Sequence, residues 1–177
     1  MNLTISSNLS WVGQMRYIQA LHEPEEFRGP DNLVRHFFPI IARLRYRFLS
    51  RDYLDALRHD PFYYYLLART MYYDAVFAAA IHDNVQQIVN VGCGSDTRAH
   101  RFGRFLKEKG IQVLECDQPE AISVKERIAK RLGPAEHINY AAIDLNDENW
   151  PSFEHWLDSI RNMKTVVIME GVSPYIN

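Results

Sequence analysis

The sequence predicts an α/β domain built on a doubly wound parallel sheet and preceded by N-terminal helices, and three observations carry that prediction. Four apolar, strand-like runs alternate with helical stretches: 88–91, 112–117, 138–143 and 165–169. The first run enters a tight glycine turn, Gly92-Cys93-Gly94, and then a helix. The other three each lead into an acid, namely Asp117, Asp144 and Glu170. In an open parallel sheet all four carboxyl ends share one edge, and ligands bind there, near the point where strand order reverses.

The elements follow in order. Residues 1–30 are polar and punctuated by Pro24, Gly29 and Pro30, so they are expected to form an irregular arm, mobile or ordered only against a partner. Residues 31–84 are expected to form a helical lid. Its first stretch runs from Asp31 to about Arg51 with a kink at Pro39, since proline removes one helix hydrogen bond and crowds the preceding turn. Asp60-Pro61 reads as an N-cap followed by proline at the first helical position, opening a helix that ends near His82. Leu66, Leu67, Thr70, Ala78 and Ile81 are expected to pack inward, while Arg69, Tyr72, Tyr73 and Val76 share a second face at three- and four-residue spacing. The tyrosines Tyr63, Tyr64, Tyr65, Tyr72 and Tyr73 read as core, with a stack for an aromatic ligand as the alternative.

Residues 85–177 carry the strand and helix alternation. After the first strand, Thr97 to about Lys109 is expected to be helical, with Arg98, Arg101, Arg104, Lys107 and Lys109 on its wetter side and its first amides facing an anionic group. A second helix spans Pro119 to Leu132 and is stopped by Gly133-Pro134. A third, Asn149 to Arg161, carries Trp150, Phe153, Trp156, Leu157 and Ile160 as its buried stripe.

Composition narrows the function classes. A chain of 177 residues, 47% hydrophobic and 24% charged, suits one soluble domain with a real core. Its formal charge of −2 gives no general attraction to nucleic acid or an anionic membrane, so neither is an expected partner. No run reaches about 18 consecutive apolar residues, so no bilayer span is expected. The first residues lack the basic start and apolar run of a secretory signal, which points to the cytoplasm. Cys93 and Cys116 read as small buried thiols, and the histidines lack metal-ligand spacing, so no metal is expected. Arg35, Arg43, Arg45, Arg47, Arg51 and Arg58 face only Asp52 and Asp55 in the same stretch. They read as a solvated helix face, or as a docking surface for an acidic carrier protein or an anionic substrate.

The rim has its own chemistry. Gly92 and Gly94 let backbone approach a ligand, and Asp117 can accept two hydrogen bonds from a ribose diol. Thr97 stands where a dinucleotide fingerprint has its third glycine, so close packing over a pyrophosphate is disfavoured and a nucleoside without phosphates suits better. A cationic, donor-rich ligand such as S-adenosylmethionine fits the acids: ribose hydroxyls for Asp117, the adenine amino group for Asp144, an ammonium or sulfonium for Glu170.

Four motifs spread over roughly residues 60–177 resemble the leucine carboxyl methyltransferase family. They are Asn90 through Arg98, Asp117-Gln118-Pro119-Glu120 followed by Lys125, Glu170-Gly171-Val172 with Tyr175, and Ala68-Arg69-Thr70 with Asp74. That family includes the tetracenomycin-type carboxyl methyltransferases and other O-methyltransferases that tailor polyketides and peptides. The resemblance implies a Rossmann-like class I methyltransferase sheet, of which the first four strands are visible, and S-adenosylmethionine as cofactor. It implies that Arg69 holds the methionine carboxylate, Gly92 lines the methionine part with Gly94 beside it, Asp117 takes the ribose, Asp144 and Leu145 take the adenine, and Glu170 lies beside the cofactor. Tyr73 and Tyr175 are expected near the acceptor. The family's further N-terminal cofactor lysine has no counterpart, since the first lysine is Lys107.

The expected activity is therefore O-methylation of a carboxylate or hydroxyl on a small natural product, free or carrier-bound. The alternative is a non-catalytic scaffold that binds a partner through its basic helix and open sheet edge. A nicotinamide-dependent oxidoreductase is disfavoured by Thr97 and by rim acids that would repel a pyrophosphate. The run 166–169 is apolar on both faces, so a bare edge there is expected to self-associate or to be completed by a C-terminal half absent from this apparently truncated domain.

Overall fold

The computed structural model describes residues 7–133, 135–145, 158 and 162–172. The chain forms two compact units with their boundary between Ala75 and Val76.

The first unit contains α1 (Ser7–His22), 3-10 turns at Glu25–Phe27 and Leu33–Phe37, α2 (Ile40–Arg47), α3 (Arg51–Arg58) and the first part of α4 (Pro61–His82). Helix α1 corrects the expectation of an irregular arm: it buries Met15 and Ile18 against Tyr63 and Leu66 of α4, with Val12 packed beside them. Val12, Met15 and Ile18 recur at a three-residue spacing, a stripe that the intervening polar residues dilute. Burying each of the two larger side chains contributes about 1.5–3 kcal/mol.

Pro39 separates two helical pieces rather than kinking one. The residue before a proline is pushed out of helical geometry, and Phe38 is extended at φ −109°, ψ 143°. Pro39 then serves as the N-cap of α2. The Ser50 hydroxyl accepts from the Tyr53 amide (3.2 Å) to start α3, and Asp60 Oδ1 accepts from the Phe62 amide (2.9 Å) to start α4. Along α4 the expected inward residues Leu66, Leu67, Thr70 and Ile81 are buried, whereas Ala78 is exposed and Phe77 takes the inward place. Among the α4 tyrosines only Tyr63 is core, and Tyr64, Tyr65 and Tyr72 are exposed. The Tyr63 hydroxyl donates to Glu23 Oε1 (2.9 Å), which also accepts from Arg58 Nε (3.2 Å). Arg58 therefore has a buried partner that lies outside the arginine-rich stretch.

The second unit is the sheet: β1 (Gln87–Val91), α5 (Arg98–Arg101), α6 (Gly103–Lys109), β2 (Gln112–Asp117), α7 (Pro119–Leu132), β3 (Ile138–Ala142) and β4 (Thr165–Met169). The order is β3-β2-β1-β4 with every pair parallel, the doubly wound α/β arrangement expected. Strand order reverses at β1. Val89, Val91, Leu114, Cys116 and Ile143 form one face of the core, with Leu145 packed against it. On the other face Asn90 and Glu115 stand side by side in register. β1 is buried throughout, while β4 exposes Val167 and Met169.

The single helix expected over 97–109 is divided at Phe102, which leaves helical geometry (φ −92°, ψ 4°) while its ring stacks on Phe77 (centroids 5.4 Å apart). Helix α7 ends at Gly133 as expected, with φ 99°. Pro134, the 149–161 helix apart from Asp158, and Tyr175 lie outside the described residues. Among the described residues no helix is long and apolar enough to cross a membrane, and no cluster of His, Cys, Asp or Glu is placed to hold a metal ion.

His100 on α5 makes the sheet unit acid-sensitive. Burial, then the Lys125 ammonium and His137, lowers its pKa to about 4 from the ordinary 6.5. The folded state favours the neutral ring, so this stabilisation is complete above pH 6.5 and is lost as pH falls through about 4. Because the ring is partly exposed, the screened effect is about 1–2 kcal/mol. His100→Gln is expected to flatten the stability profile between pH 4 and 6.5 in urea titrations; an unchanged slope would assign it to other groups.

Candidate functional site

The turn after β1 is built by its own hydrogen bonds. Gly92 and Gly94 adopt φ +67° and +43°, values that side chains with a Cβ rarely take. The Cys93 amide donates to the Cys116 carbonyl (3.0 Å), which continues the sheet one step past β1, and the Asp96 amide closes the turn on the Cys93 carbonyl (2.8 Å). A Cβ on Gly92 would clash with Val172 Cγ2, so the residue following Gly171 fills the space that the glycine leaves.

Asp117 joins this turn to β2. Its Oδ2 accepts from the Gly94 amide and its Oδ1 from the Gln118 amide, both at 2.7 Å. An ionised carboxylate has about four lone-pair positions, so this half-exposed side chain retains acceptor capacity toward a diol. The backbone continues the same edge, with the Ile143 amide donating to the Asp117 carbonyl (2.8 Å). Asp144 is exposed and Leu145 half-buried just beyond it. Glu170 leaves β4 at the same edge, so the glycines, the three acids and Leu145 lie along the carboxyl ends of four parallel strands.

The cation beside Glu170 belongs to the chain itself. Arg98 Nη1 lies 2.7 Å from Glu170 Oε2 and 2.7 Å from Asp96 Oδ2, and the Arg98 side chain is 1% exposed. This corrects the expectation that Arg98 sits on the wet face of its helix. Asp96 Oδ2 also accepts from Asn90 Nδ2 (2.9 Å), and its Oδ1 accepts from the Arg98 amide (2.8 Å). The first amide of α5 is thus taken by Asp96 and does not face a ligand.

Beneath the turn lies a second buried ion pair. Lys125 Nζ of α7 donates to Glu115 Oε1 (2.8 Å) and approaches the Cys93 carbonyl (3.4 Å). Burial pushes the Glu115 carboxyl up to about 7 against the opposing pull of Lys125, while the surrounding anionic groups raise Lys125 despite its own desolvation. Burial also pushes the Cys93 thiol well up and Cys116 up to about 12, so neither is a ready nucleophile.

Arg69 and Tyr73 belong to the first unit, on α4. Arg69 is half-buried with its guanidinium carbon 5.7 Å from the Tyr65 ring centroid, and Tyr73 packs edge-on against Tyr72. Asn90, Asp96 and Lys125 stand inside the sequence motifs without showing their partners, and Glu115 lies outside the motifs. The usable signal was a polar residue inside a strand that is otherwise apolar: Asn90 in β1 and Glu115 in β2 demand buried partners. A surface depression of about 490 Å³ lined by Lys107, Gln112, Glu136 and His137 lies at the amino end of β2, on the opposite edge of the sheet from these groups.

Carboxylates at the rim disfavour an anionic, phosphorylated ligand there. The model of a family described as leucine carboxyl methyltransferase matches residues 35–177. A Mycobacterium avium protein provisionally named an S-adenosyl-L-methionine-dependent methyltransferase is 30% identical over 93% of this chain and 56% of its own length. A Mycolicibacterium smegmatis protein with a similar provisional name is 39% identical over 49% of this chain and 28% of its own. The chain spans about half the length of the first of these relatives.

Proposed function

The chain belongs to the leucine carboxyl methyltransferase family, whose cofactor is S-adenosylmethionine, and from that membership we propose that the rim holds this cofactor in an O-methyltransferase. The acceptor is a carboxylate or hydroxyl of a small natural product of polyketide or peptide type, free or on a carrier protein, and the reaction is cytoplasmic. The observation that carries the reading is Asp117: a half-exposed carboxylate tied to the glycine turn and retaining acceptor capacity at the carboxyl edge of the sheet. In this reading Asp117 receives the ribose diol, Asp144 and Leu145 the adenine, and Gly92 and Gly94 the methionine part. Arg69 pairs with the carboxylate, Glu170 lies beside the cationic centre, and Tyr73 and Tyr175 serve the acceptor.

S-adenosylmethionine supplies an already activated methyl group, so the work left to the protein is positioning, which is worth up to about 7–11 kcal/mol. A carboxylate acceptor is ionised at neutral pH and needs no general base. That suits a rim whose side chains bind and orient.

A second reading, a scaffold that binds a partner, is favoured by one feature. Ile40, Ile41, Leu44 and Phe48 are all more than half exposed on and just after the arginine-bearing helix α2, and β4 offers an exposed apolar strand for association or for a completing segment. Cofactor binding separates the two readings. Calorimetric titration with S-adenosylhomocysteine, with NAD as control, is expected to give micromolar binding of the first alone; binding of neither, in a chain covering the length of its relatives, would leave the scaffold.

A further inference from the structure

Two segments leave the sheet where strand order reverses: 92–97 after β1 and 170–172 after β4. The parallel pairing of β1 with β4 ends at Val91 and Met169, so the strand ladder does not hold these segments to one another. Side-chain contacts do. Val172 fills the space beside Gly92, and Arg98 spans from Asp96 in the first segment to Glu170 in the second, with both contacts at 2.7 Å.

The Arg98 bridge has the features of a built part. Its side chain is 1% exposed, and the carboxylates it joins are 8% and 13% exposed, so water offers them little alternative solvation. Both contacts come from Nη1, whose two hydrogens lie at a fixed angle in the guanidinium plane, a geometry that a freely rotating ammonium does not impose. Asp96 is itself anchored to Asn90 of β1. The chain of contacts therefore runs from the body of the sheet through Asp96 and Arg98 to Glu170.

We propose that Arg98 is a positioning residue of the rim, setting the separation of the segments 92–97 and 170–172 and the orientation of the Glu170 carboxylate. It acts through Asp96 and Glu170 and does not itself touch the cofactor. The consequence for affinity rests on the cofactor reading above, whereas the consequence for the two segments does not.

The test uses the full chain with Arg98→Lys and Glu170→Gln. Arg98→Lys keeps the charge, so it avoids the two facing, uncompensated carboxylates of Arg98→Met. Amide hydrogen exchange is read in the ligand-free protein at 92–97 and 170–172, with β1 and β2 as internal reference. Arg98→Lys is expected to accelerate exchange about tenfold in both segments while the strands keep their protection, because opening is local. Glu170→Gln, which weakens one arm only, is expected to loosen 170–172 more than 92–97. In parallel, Arg98→Lys is expected to weaken S-adenosylhomocysteine binding about tenfold, less than the loss from truncating a buried charge pair because the charge is kept. Exchange that is unchanged in both segments, or that rises equally in the strands, would overturn the proposal and leave Arg98 a general stabiliser. Failure of the wild-type chain to bind S-adenosylhomocysteine would count against the cofactor reading, while the exchange comparison would still decide the role of Arg98.

Discussion

Asp117→Ala is expected to weaken binding of S-adenosylmethionine and S-adenosylhomocysteine alike, by about 1.5–3 kcal/mol for each hydrogen bond to the charged carboxylate that is lost. Two losses combine. On the proposed reading the ribose diol loses its acceptor, and the Gly94 and Gln118 amides lose the carboxylate that each meets at 2.7 Å, which frees the glycine turn from β2. Asp117→Asn separates them, since it keeps an acceptor oxygen but presents an amide group to one of two donors. It is expected to fall between wild type and alanine. Both ligands carry the ribose, so calorimetry showing a loss for one of them alone would remove Asp117 from the ribose position. Stability should change less, by about 1 kcal/mol per lost hydrogen bond, because the side chain is half-exposed.

Lys125→Met is expected to cost about 3–5 kcal/mol of folding stability, because it strands Glu115 without its cation at a site where both side chains are almost fully buried. The deficit should depend on pH with a definite sign. Burial already holds Glu115 near 7 in the folded protein against an ordinary 4.5, and removing Lys125 drives it higher. A folded value above the unfolded one contributes stability that is present below about pH 4.5 and is lost as pH rises through the folded value. Urea titrations should therefore show a larger deficit at pH 8 than at pH 5. The charge-free pair Glu115→Gln/Lys125→Met is expected to recover most of the loss, since no unpaired charge remains. A deficit that is independent of pH and persists in the double variant would mean that the Lys125 stem and its approach to the Cys93 carbonyl carry the stability instead.

Local signals account for much of what could be read in advance. The strands β2 and β4, the proline-opened starts of α4 and α7, and the stop at Gly133 were legible because proline, glycine and short, mostly apolar runs act over a few residues. The same holds for the edge itself: four strands in βα alternation fix a parallel sheet, and a parallel sheet gathers every strand's carboxyl end on one side. Helix α1 was missed because its apolar stripe is narrow and becomes meaningful only against Tyr63 and Leu66, which lie more than forty residues along the chain. The division of the 97–109 helix at Phe102 was missed for a related reason: the ring stacks on Phe77, a long-range partner invisible to local spacing.

The sequence by itself determined the fold class, the family and the identity of the residues at the carboxyl edge, because each depends on the order of short elements and on motif spacing. Only the tertiary structure decided how those residues are charged and held. Arg98 looks like one of five basic residues on a wet helix, and only the approach of β4 to β1 makes it the buried partner of Glu170. Glu115 and Lys125 stand ten residues apart on a strand and a helix, and only the packing of α7 against the sheet turns them into an ion pair under the glycine turn. Ion pairing and desolvation depend on distances in space and on the exclusion of water, and neither quantity is written in the spacing of residues along the chain.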